Sequence, residues 1–253
     1  MRTKKPKAKT VVLGLPSAFS LISLCLGFLS LLASFHGRFL TASWLIVLAA
    51  VLDGIDGLVA RSTKTTSAFG IELDSLADAV SFATATGILV ALWGAGEIGR
   101  LSAALGFIFL AAGILRLARY NVIQANQKTR STYLGLTVPS AAVFIVSLIM
   151  VNPQVSSPLA HKLLLFLSIP LISGLMVSRL RYPNFLSSSL WRRFNLQRAL
   201  IIAFVIAGFY LHPPLALFIL ASINVISGPF REAWRLTQKT LEAKRGRNEV
   251  PLG

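Results

Sequence analysis

Two stretches, DGIDGLVAR at residues 53–61 and GIELDSLAD at residues 70–78, decide how this chain folds and carry its most polar chemistry. Within 26 consecutive residues they hold every aspartate of the chain, namely Asp53, Asp56, Asp74 and Asp78. Each stretch adjoins a long apolar segment, so the carboxylates lie at the facing ends of two consecutive hydrophobic helices. A charged side chain costs about 2.5 to 3.5 kcal/mol at the centre of a bilayer and less near its surface. Acids in this position therefore indicate a functional site.

The spacing within each stretch predicts that its two acids share a helical face. Asp53 and Asp56 are three residues apart, and Asp74 and Asp78 are four apart. Side chains at these separations lie on the same side of a helix. The connection between the helices is short, so we expect them to run antiparallel and to bring the two pairs together. The sequence thus predicts one cluster of four carboxylates.

Neighbouring carboxylates need positive charge beside them, because like charges and membrane burial both disfavour ionisation. Ligand sets made only of oxygen suit hard cations such as Mg²⁺ or Mn²⁺, and Ca²⁺ fits the same ligand type. The single cysteine and all three histidines are expected far from the cluster, at Cys25, His36, His161 and His212. A covalent His or Cys intermediate is therefore disfavoured, which leaves direct displacement with an aspartate as general base.

The composition is typical of a membrane protein, since 55% of the residues are hydrophobic and only 13% are charged. Several windows are long enough to cross a hydrocarbon core of about 30 Å as helices. We predict an all-α transmembrane bundle of about eight spans. They lie near residues 15–36, 39–60, 69–94, 101–123, 136–152, 160–178, 196–211 and 213–229. The last two are short, and the break after residue 211 leaves a shallower hairpin as an alternative.

The net charge of +16 comes from basic residues at the ends of the apolar spans. This distribution favours an anionic membrane surface over nucleic acid as the partner. Of the 25 lysines and arginines, only Arg38, Arg100 and Lys162 fall at predicted outer ends. The positive-inside rule then predicts that both termini and the acidic cluster face the cytoplasm. We expect a basic tail at residues 1–10, a catalytic transmembrane domain at 11–230 and a second basic tail at 231–253.

Small and basic residues accompany the acids. Gly57, Ala60 and Gly70 lie on the same helical faces as the aspartates, where they would leave room for a ligand. Small residues also serve ordinary helix packing in membranes. Arg61 ends the second span, where its guanidinium could bind a phosphate oxygen or anchor the topology.

The whole pattern from residue 53 to residue 78 resembles the signature of the CDP-alcohol phosphotransferases, with every fixed position filled. The resemblance implies that two metal ions are held by Asp53, Asp56 and Asp74. It implies that Asp78 completes the site and acts as the base that activates the alcohol. It further implies a homodimer, and a CDP pocket bordered by Gly57, Ala60, Arg61, Ser67 and Gly70.

Within the family the likeness is greatest to the phosphatidylserine synthases, through runs such as LDSLADAVSF at 73–82, LRLARYN at 115–121 and MVSRLRYP at 176–183. The resemblance implies transfer of a phosphatidyl-type group from CDP-diacylglycerol or CDP-archaeol to L-serine. The chain departs from that pattern after Phe82, where ATAT replaces the usual Gly followed by Ala-Pro. Glycerol phosphate, inositol phosphate and choline therefore remain alternative acceptors.

Three polar residues near the inner end of the fourth span, Arg116, Arg119 and Asn121, share the predicted side of the aspartates. We expect them to bind the acceptor's carboxylate or the lipid phosphate, with snorkelling and helix capping as the alternative. An ion or proton pathway in a transporter is the rival explanation for the acids. A transporter would place them nearer the midplane, beside broken helices.

Overall fold

The computed structural model of the chain describes residues 15–63, 68–126, 135–151, 158–180, 182 and 207–248. This part of the chain is helical and contains no strand, which confirms the all-α prediction. The helices are α1 (Leu15–Phe35), α2 (Phe39–Thr63), α3 (Ala68–Asp78), a π-helical segment (Ala79–Thr84), α4 (Ala85–Trp93), α5 (Ala95–Ile98), α6 (Arg100–Asn126), α7 (Val138–Val151), α8 (Pro158–Val177) and α9 (Pro213–Asn248).

Five stretches of the described helices are long and apolar enough to cross a membrane, and they coincide with predicted spans one to four and eight. They are Ala18–Phe35, Phe39–Leu58, Phe69–Trp93, Arg100–Ile123 and Pro213–Arg235. Two shorter apolar helices, Val138–Val151 and Phe166–Val177, coincide with the fifth and sixth predicted spans. The seventh, at 196–211, lies mostly outside the described residues, of which 207–211 are helical. The total of eight stays a prediction.

The last helix is longer than the predicted span. α9 continues from Pro213 to Asn248 and passes through Pro229 without ending. At its start, the amide of Ala216 donates to the carbonyl of His212 at 3.0 Å. Pro213 and Pro214 therefore lie in the first turn of the helix, where backbone N–H groups have no partner within the helix and prolines are tolerated. Much of the predicted C-terminal tail therefore prolongs the membrane helix.

α1 packs along α2, and it carries a buried face of small residues spaced three or four apart: Ser20, Ser23, Gly27, Ser30 and Ser34. Ser23 Oγ donates to the carbonyl of Ala49 at 3.4 Å, and Ser30 Oγ donates to that of Ala42 at 2.9 Å. Hydroxyls that bond a neighbouring helix in this way hold membrane helices together. This face fixes α1 against the helix that carries the first acidic stretch.

The second acidic stretch leads directly into the π-helical segment. Thr84 Oγ1 donates to the carbonyl of Ala79, five residues earlier, at 2.8 Å. A π turn holds more residues than an α turn and is frequent at functional sites. It therefore changes the register between α3, which carries two aspartates, and α4, which is largely buried in the bundle.

α4 and α6 cross where two glycines face each other. A Cβ at Gly106 would overlap the carbonyl oxygen of Gly87, and a Cβ at Gly87 would lie 2.8 Å from the carbonyl oxygen of Gly106. Residues without side chains let membrane helices approach backbone to backbone. The contact positions α6, whose C-terminal half reaches the acidic site.

We expect Gly106→Ala to lower the thermal stability of the purified protein, because one of the two backbones must move to accept the methyl group. Overpacking of this kind costs about 1 to 3 kcal/mol. Gly174→Ala on α8 is the matched control, since a Cβ there meets no atom within 4 Å. It should be neutral or stabilising by less than about 1 kcal/mol. Equal melting temperatures for the two variants in detergent would contradict the close crossing.

Candidate active site

Three carboxylates meet where α2 and α3 face each other. Asp53 comes from α2, and Asp74 and Asp78 come from α3. One oxygen of each lies within 4.8 Å of an oxygen of the other two, and all three side chains are partly buried. The predicted convergence of the two helices is therefore confirmed for these three residues.

The fourth carboxylate, Asp56, lies beside this group and has a smaller exposed fraction than the other three, 5% of its surface. Three residues rotate an α-helix by about 300°, so the directions of the two side chains differ by about 60°. Asp56 can therefore face α1 while Asp53 faces α3. Asp56 Oδ2 accepts a hydrogen bond of 2.9 Å from Ser20 Oγ. Asp56 Oδ1 is buried and has no hydrogen-bond partner among the described residues. Asp56 still lies near enough to Asp53 and Asp74 to interact electrostatically with both.

α6 contributes a buried arginine to the same site. Arg116 is only 6% exposed, and it is close enough to Asp53 and Asp78 to attract both carboxylates. Its guanidinium carbon lies 5.3 Å from the centroid of the Tyr120 ring, one helical turn further along α6. Buried charges are tolerated when opposite charges lie beside them. Arg116 therefore lies beside the acidic cluster, and its predicted contact with the acceptor's carboxylate or the lipid phosphate stays a prediction.

Arg119, which follows Arg116 by three residues on α6, has a different set of contacts. Its Nη1 donates to the carbonyl of Val177 at 2.7 Å, and its Nη2 donates to that of Ser178 at 3.0 Å. These carbonyls end α8, where unpaired acceptors favour a cationic partner. The contacts correspond to helix capping, the alternative considered from the sequence, and an acceptor or lipid contact for Arg119 stays a prediction.

Asn121 connects α6 to α3 next to the acids. Its Oδ1 accepts a hydrogen bond of 3.0 Å from Ser75 Oγ, and its Nδ2 donates to Glu72 Oε2 at 3.5 Å. Ser75 follows Asp74 directly in the chain. Asn121 therefore ties α6 to the acidic turn of α3, whereas contact with an acceptor is still a prediction.

The predicted CDP-binding residues are described only in part. Gly57 and Gly70 are partly exposed on α2 and α3, near Asp56 and Asp74 respectively. The side chains of Ala60 and Arg61 and the whole of Ser67 lie outside the described part of the chain. Their role in binding the nucleotide stays a prediction.

The donor set fits a divalent cation. Three carboxylate oxygens converge within 4.8 Å, and the buried Oδ1 of Asp56 lacks a donor. Hard cations are bound by such oxygens, and a buried acceptor without a partner is unfavourable unless a positive group reaches it. These aspartates could therefore bind metal.

Ser20 was not anticipated from the sequence. The signal that could have revealed it is the spacing of small residues along α1, because Ser20 begins the same face as Ser23 and Ser30. That spacing predicts a helix contact, but only the structure shows that the contacted group is Asp56.

The chain is similar to a known family and to several of its members. The family model described as CDP-alcohol phosphatidyltransferase matches residues 13–178. The CDP-diacylglycerol–serine O-phosphatidyltransferase of Helicobacter pylori is 35% identical over 217 residues, which cover 85% of this chain and 90% of the relative. The archaetidylserine synthase of Methanothermobacter thermautotrophicus is 33% identical over 180 residues, covering 70% of this chain and 73% of the relative.

The matched region contains α1 to α8, and with them all four aspartates and Arg116. It covers well over half of the chain, and the Helicobacter pylori relative aligns over 90% of its own length. The chain therefore belongs to the CDP-alcohol phosphatidyltransferase family and is an enzyme of that class.

Proposed function

We propose that this protein makes phosphatidylserine, by transferring the phosphatidyl group of CDP-diacylglycerol to L-serine with release of CMP. The observation that carries the proposal is the convergence of Asp53, Asp74 and Asp78 on the two helices that bear the family signature. Similarity over 85% of the chain to a CDP-diacylglycerol–serine O-phosphatidyltransferase supports L-serine as the acceptor. CDP-archaeol is the alternative lipid donor, because an archaetidylserine synthase is also similar.

In this proposal the four aspartates hold two divalent ions, Mg²⁺ or Mn²⁺. Their carboxylate oxygens are the ligand type that these ions prefer, and an acidic cluster without His or Cys disfavours softer metals. When bound, the cations neutralise charge on the transferring phosphoryl group and on the departing phosphate.

Asp78 acts as the general base. It accepts the proton of the serine hydroxyl, and the serine oxygen forms a bond to the phosphorus that carries the diacylglycerol. The bond from this phosphorus to the bridging oxygen breaks, and that oxygen leaves as part of CMP. Serine itself is the nucleophile, so no covalent intermediate with the protein is needed.

Arg116 is the residue best suited to bind an anionic part of the substrates, either the acceptor's carboxylate or the lipid phosphate. Its guanidinium is buried beside two of the aspartates and is oriented against Tyr120. Guanidinium groups bind carboxylates and phosphates through paired hydrogen bonds. The nucleotide would be bound by the residues around Gly57 and Gly70, together with Ala60, Arg61 and Ser67.

The proposal also includes the membrane arrangement. The distribution of basic residues supports an active site that faces the cytoplasm, with both termini on the same side. The family resemblance supports a homodimer.

An acceptor panel tests the function. We expect purified protein in nanodiscs, given CDP-diacylglycerol and Mn²⁺, to release CMP with L-serine and to form phosphatidylserine. Glycerol phosphate, inositol phosphate and choline should give no lipid product, because none of them offers both an alcohol and an amino acid carboxylate. Parallel assays with CDP-archaeol identify the preferred lipid. Transfer to one of the other alcohols, with none to serine, would contradict the proposed acceptor.

A further inference from the structure

We infer that Ser20 is a positioning residue of the metal site, which acts by holding Asp56 through a buried hydrogen bond. This role rests on the proposed metal-dependent transfer and adds to it a residue from α1, outside the two acidic stretches. Ser20 is 36 positions away from Asp56 in the chain, and its hydroxyl donates to Asp56 Oδ2 at 2.9 Å. Both side chains are buried.

The two oxygens of Asp56 are in different situations. Oδ2 accepts the bond from Ser20, whereas Oδ1 is buried without a hydrogen-bond partner among the described residues. A buried carboxylate oxygen that lacks a hydrogen-bond donor is unfavourable. A divalent cation attracted by the neighbouring carboxylates would be a suitable partner for it. The hydroxyl therefore fixes the carboxylate in one orientation and leaves one defined oxygen as a ligand.

Groups that hydrogen-bond a metal ligand orient it, and their loss weakens metal binding about 10- to 100-fold. Without Ser20, Asp56 loses a bond that restricts the rotation of its carboxylate. The other three aspartates, Asp53, Asp74 and Asp78, converge from α2 and α3 rather than from α1. The expected effect is thus weaker metal binding rather than loss of the site.

The same face of α1 provides a matched control. Ser30 is also buried, also donates to α2 and also makes a bond of 2.9 Å, but its acceptor is the backbone carbonyl of Ala42. Ser20→Ala and Ser30→Ala therefore remove the same group from the same helix interface. Only the first removes a bond to a carboxylate of the site.

The test measures Mn²⁺ binding to the purified full-length protein in nanodiscs by electron paramagnetic resonance, with no substrate present. We expect Ser20→Ala to weaken Mn²⁺ binding about 10- to 100-fold. Ser20→Thr, which keeps the hydroxyl, and Ser30→Ala should bind Mn²⁺ as the wild type does. In activity assays the Mn²⁺ concentration for half-maximal rate should rise by the same factor in Ser20→Ala alone.

Wild-type Mn²⁺ affinity in Ser20→Ala would overturn the inference, and so would equal weakening in Ser30→Ala, which would indicate a general packing effect. If Ser20→Ala does not fold, Ser20→Val and Ser20→Thr replace it, since they differ only by a methyl group in place of the hydroxyl. Unchanged Mn²⁺ affinity in Ser20→Val would also overturn the role. So would a Ser20→Val protein that fails to fold while Ser20→Thr folds, because the hydroxyl would then serve the fold rather than the metal site.

Asp56→Ala separates the two levels of the proposal. If the wild type binds Mn²⁺ and Asp56→Ala does not, the metal site stands, and the Ser20 variants decide on the positioning role alone. If the wild type binds no Mn²⁺, both the metal-dependent function and the role of Ser20 fail.

Discussion

Replacing Asp78 by asparagine is expected to lower kcat at least about a thousandfold while the protein remains folded. A general base contributes about 10²- to 10⁴-fold to a rate, and the same substitution removes a carboxylate from the metal site. Asparagine has nearly the same size and shape, so the packing at the junction between α3 and the π-helical segment should persist. CMP release from CDP-diacylglycerol and L-serine measures the effect.

A stability measurement distinguishes this loss from misfolding. Asp53, Asp74 and Asp78 repel one another when no cation is present, because their oxygens lie within 4.8 Å. Removing one charge relieves the repulsion, so metal-free Asp78→Asn should melt at or above the temperature of the metal-free wild type. Loss of activity together with gain of stability is typical of a residue retained for function.

Glu232→Gln is the control for the acid-to-amide change. Glu232 belongs to α9, which packs mainly on α7, and takes no part in the acidic site. Its substitution should leave turnover unchanged. Turnover near the wild-type rate in Asp78→Asn would refute the assignment of this residue as the base.

The acidic site could be predicted from the sequence because its geometry is local. Acids three and four residues apart share a helical face, and a short connection makes consecutive helices antiparallel. These two facts sufficed for the meeting of Asp53, Asp74 and Asp78. The apolar spans were predictable for a related reason, since the length of a membrane helix follows from the thickness of the bilayer.

Contacts between distant parts of the chain could not be predicted in the same way. The local sequence does not indicate that Ser20 hydrogen-bonds Asp56. It also does not indicate that Arg119 caps α8, whereas Arg116, three residues earlier, lies beside the aspartates. The π-helical segment also escaped prediction, because its register depends on how α1 and α6 pack against it. Such features follow from the crossing of helices, which a hydrophobicity pattern does not specify.

Removing divalent metal is expected to abolish turnover completely and reversibly. A strong chelator should stop CMP release, and excess Mg²⁺ or Mn²⁺ should restore it. The physical reason is electrostatic repulsion, because the aspartates and the pyrophosphate of the substrate are both negatively charged. Cations are needed to neutralise the aspartates and the pyrophosphate when the substrate binds. Among the described residues, Arg116 supplies one positive charge next to Asp53 and Asp78, which is too little to balance four carboxylates and a substrate anion.

Thermal unfolding provides a readout of this metal dependence that is separate from catalysis. A ligand that binds only the folded state stabilises it, by about 2.7 kcal/mol at a concentration of one hundred times its Kd. Mn²⁺ should therefore raise the melting temperature of the wild type and raise that of Asp53→Asn much less, because Asp53 supplies one of the three converging oxygens. Chelator already saturated with Mg²⁺ controls for direct inhibition by the chelator. Activity that persists after chelation, or an equal thermal shift in Asp53→Asn, would contradict a metal site built from these aspartates.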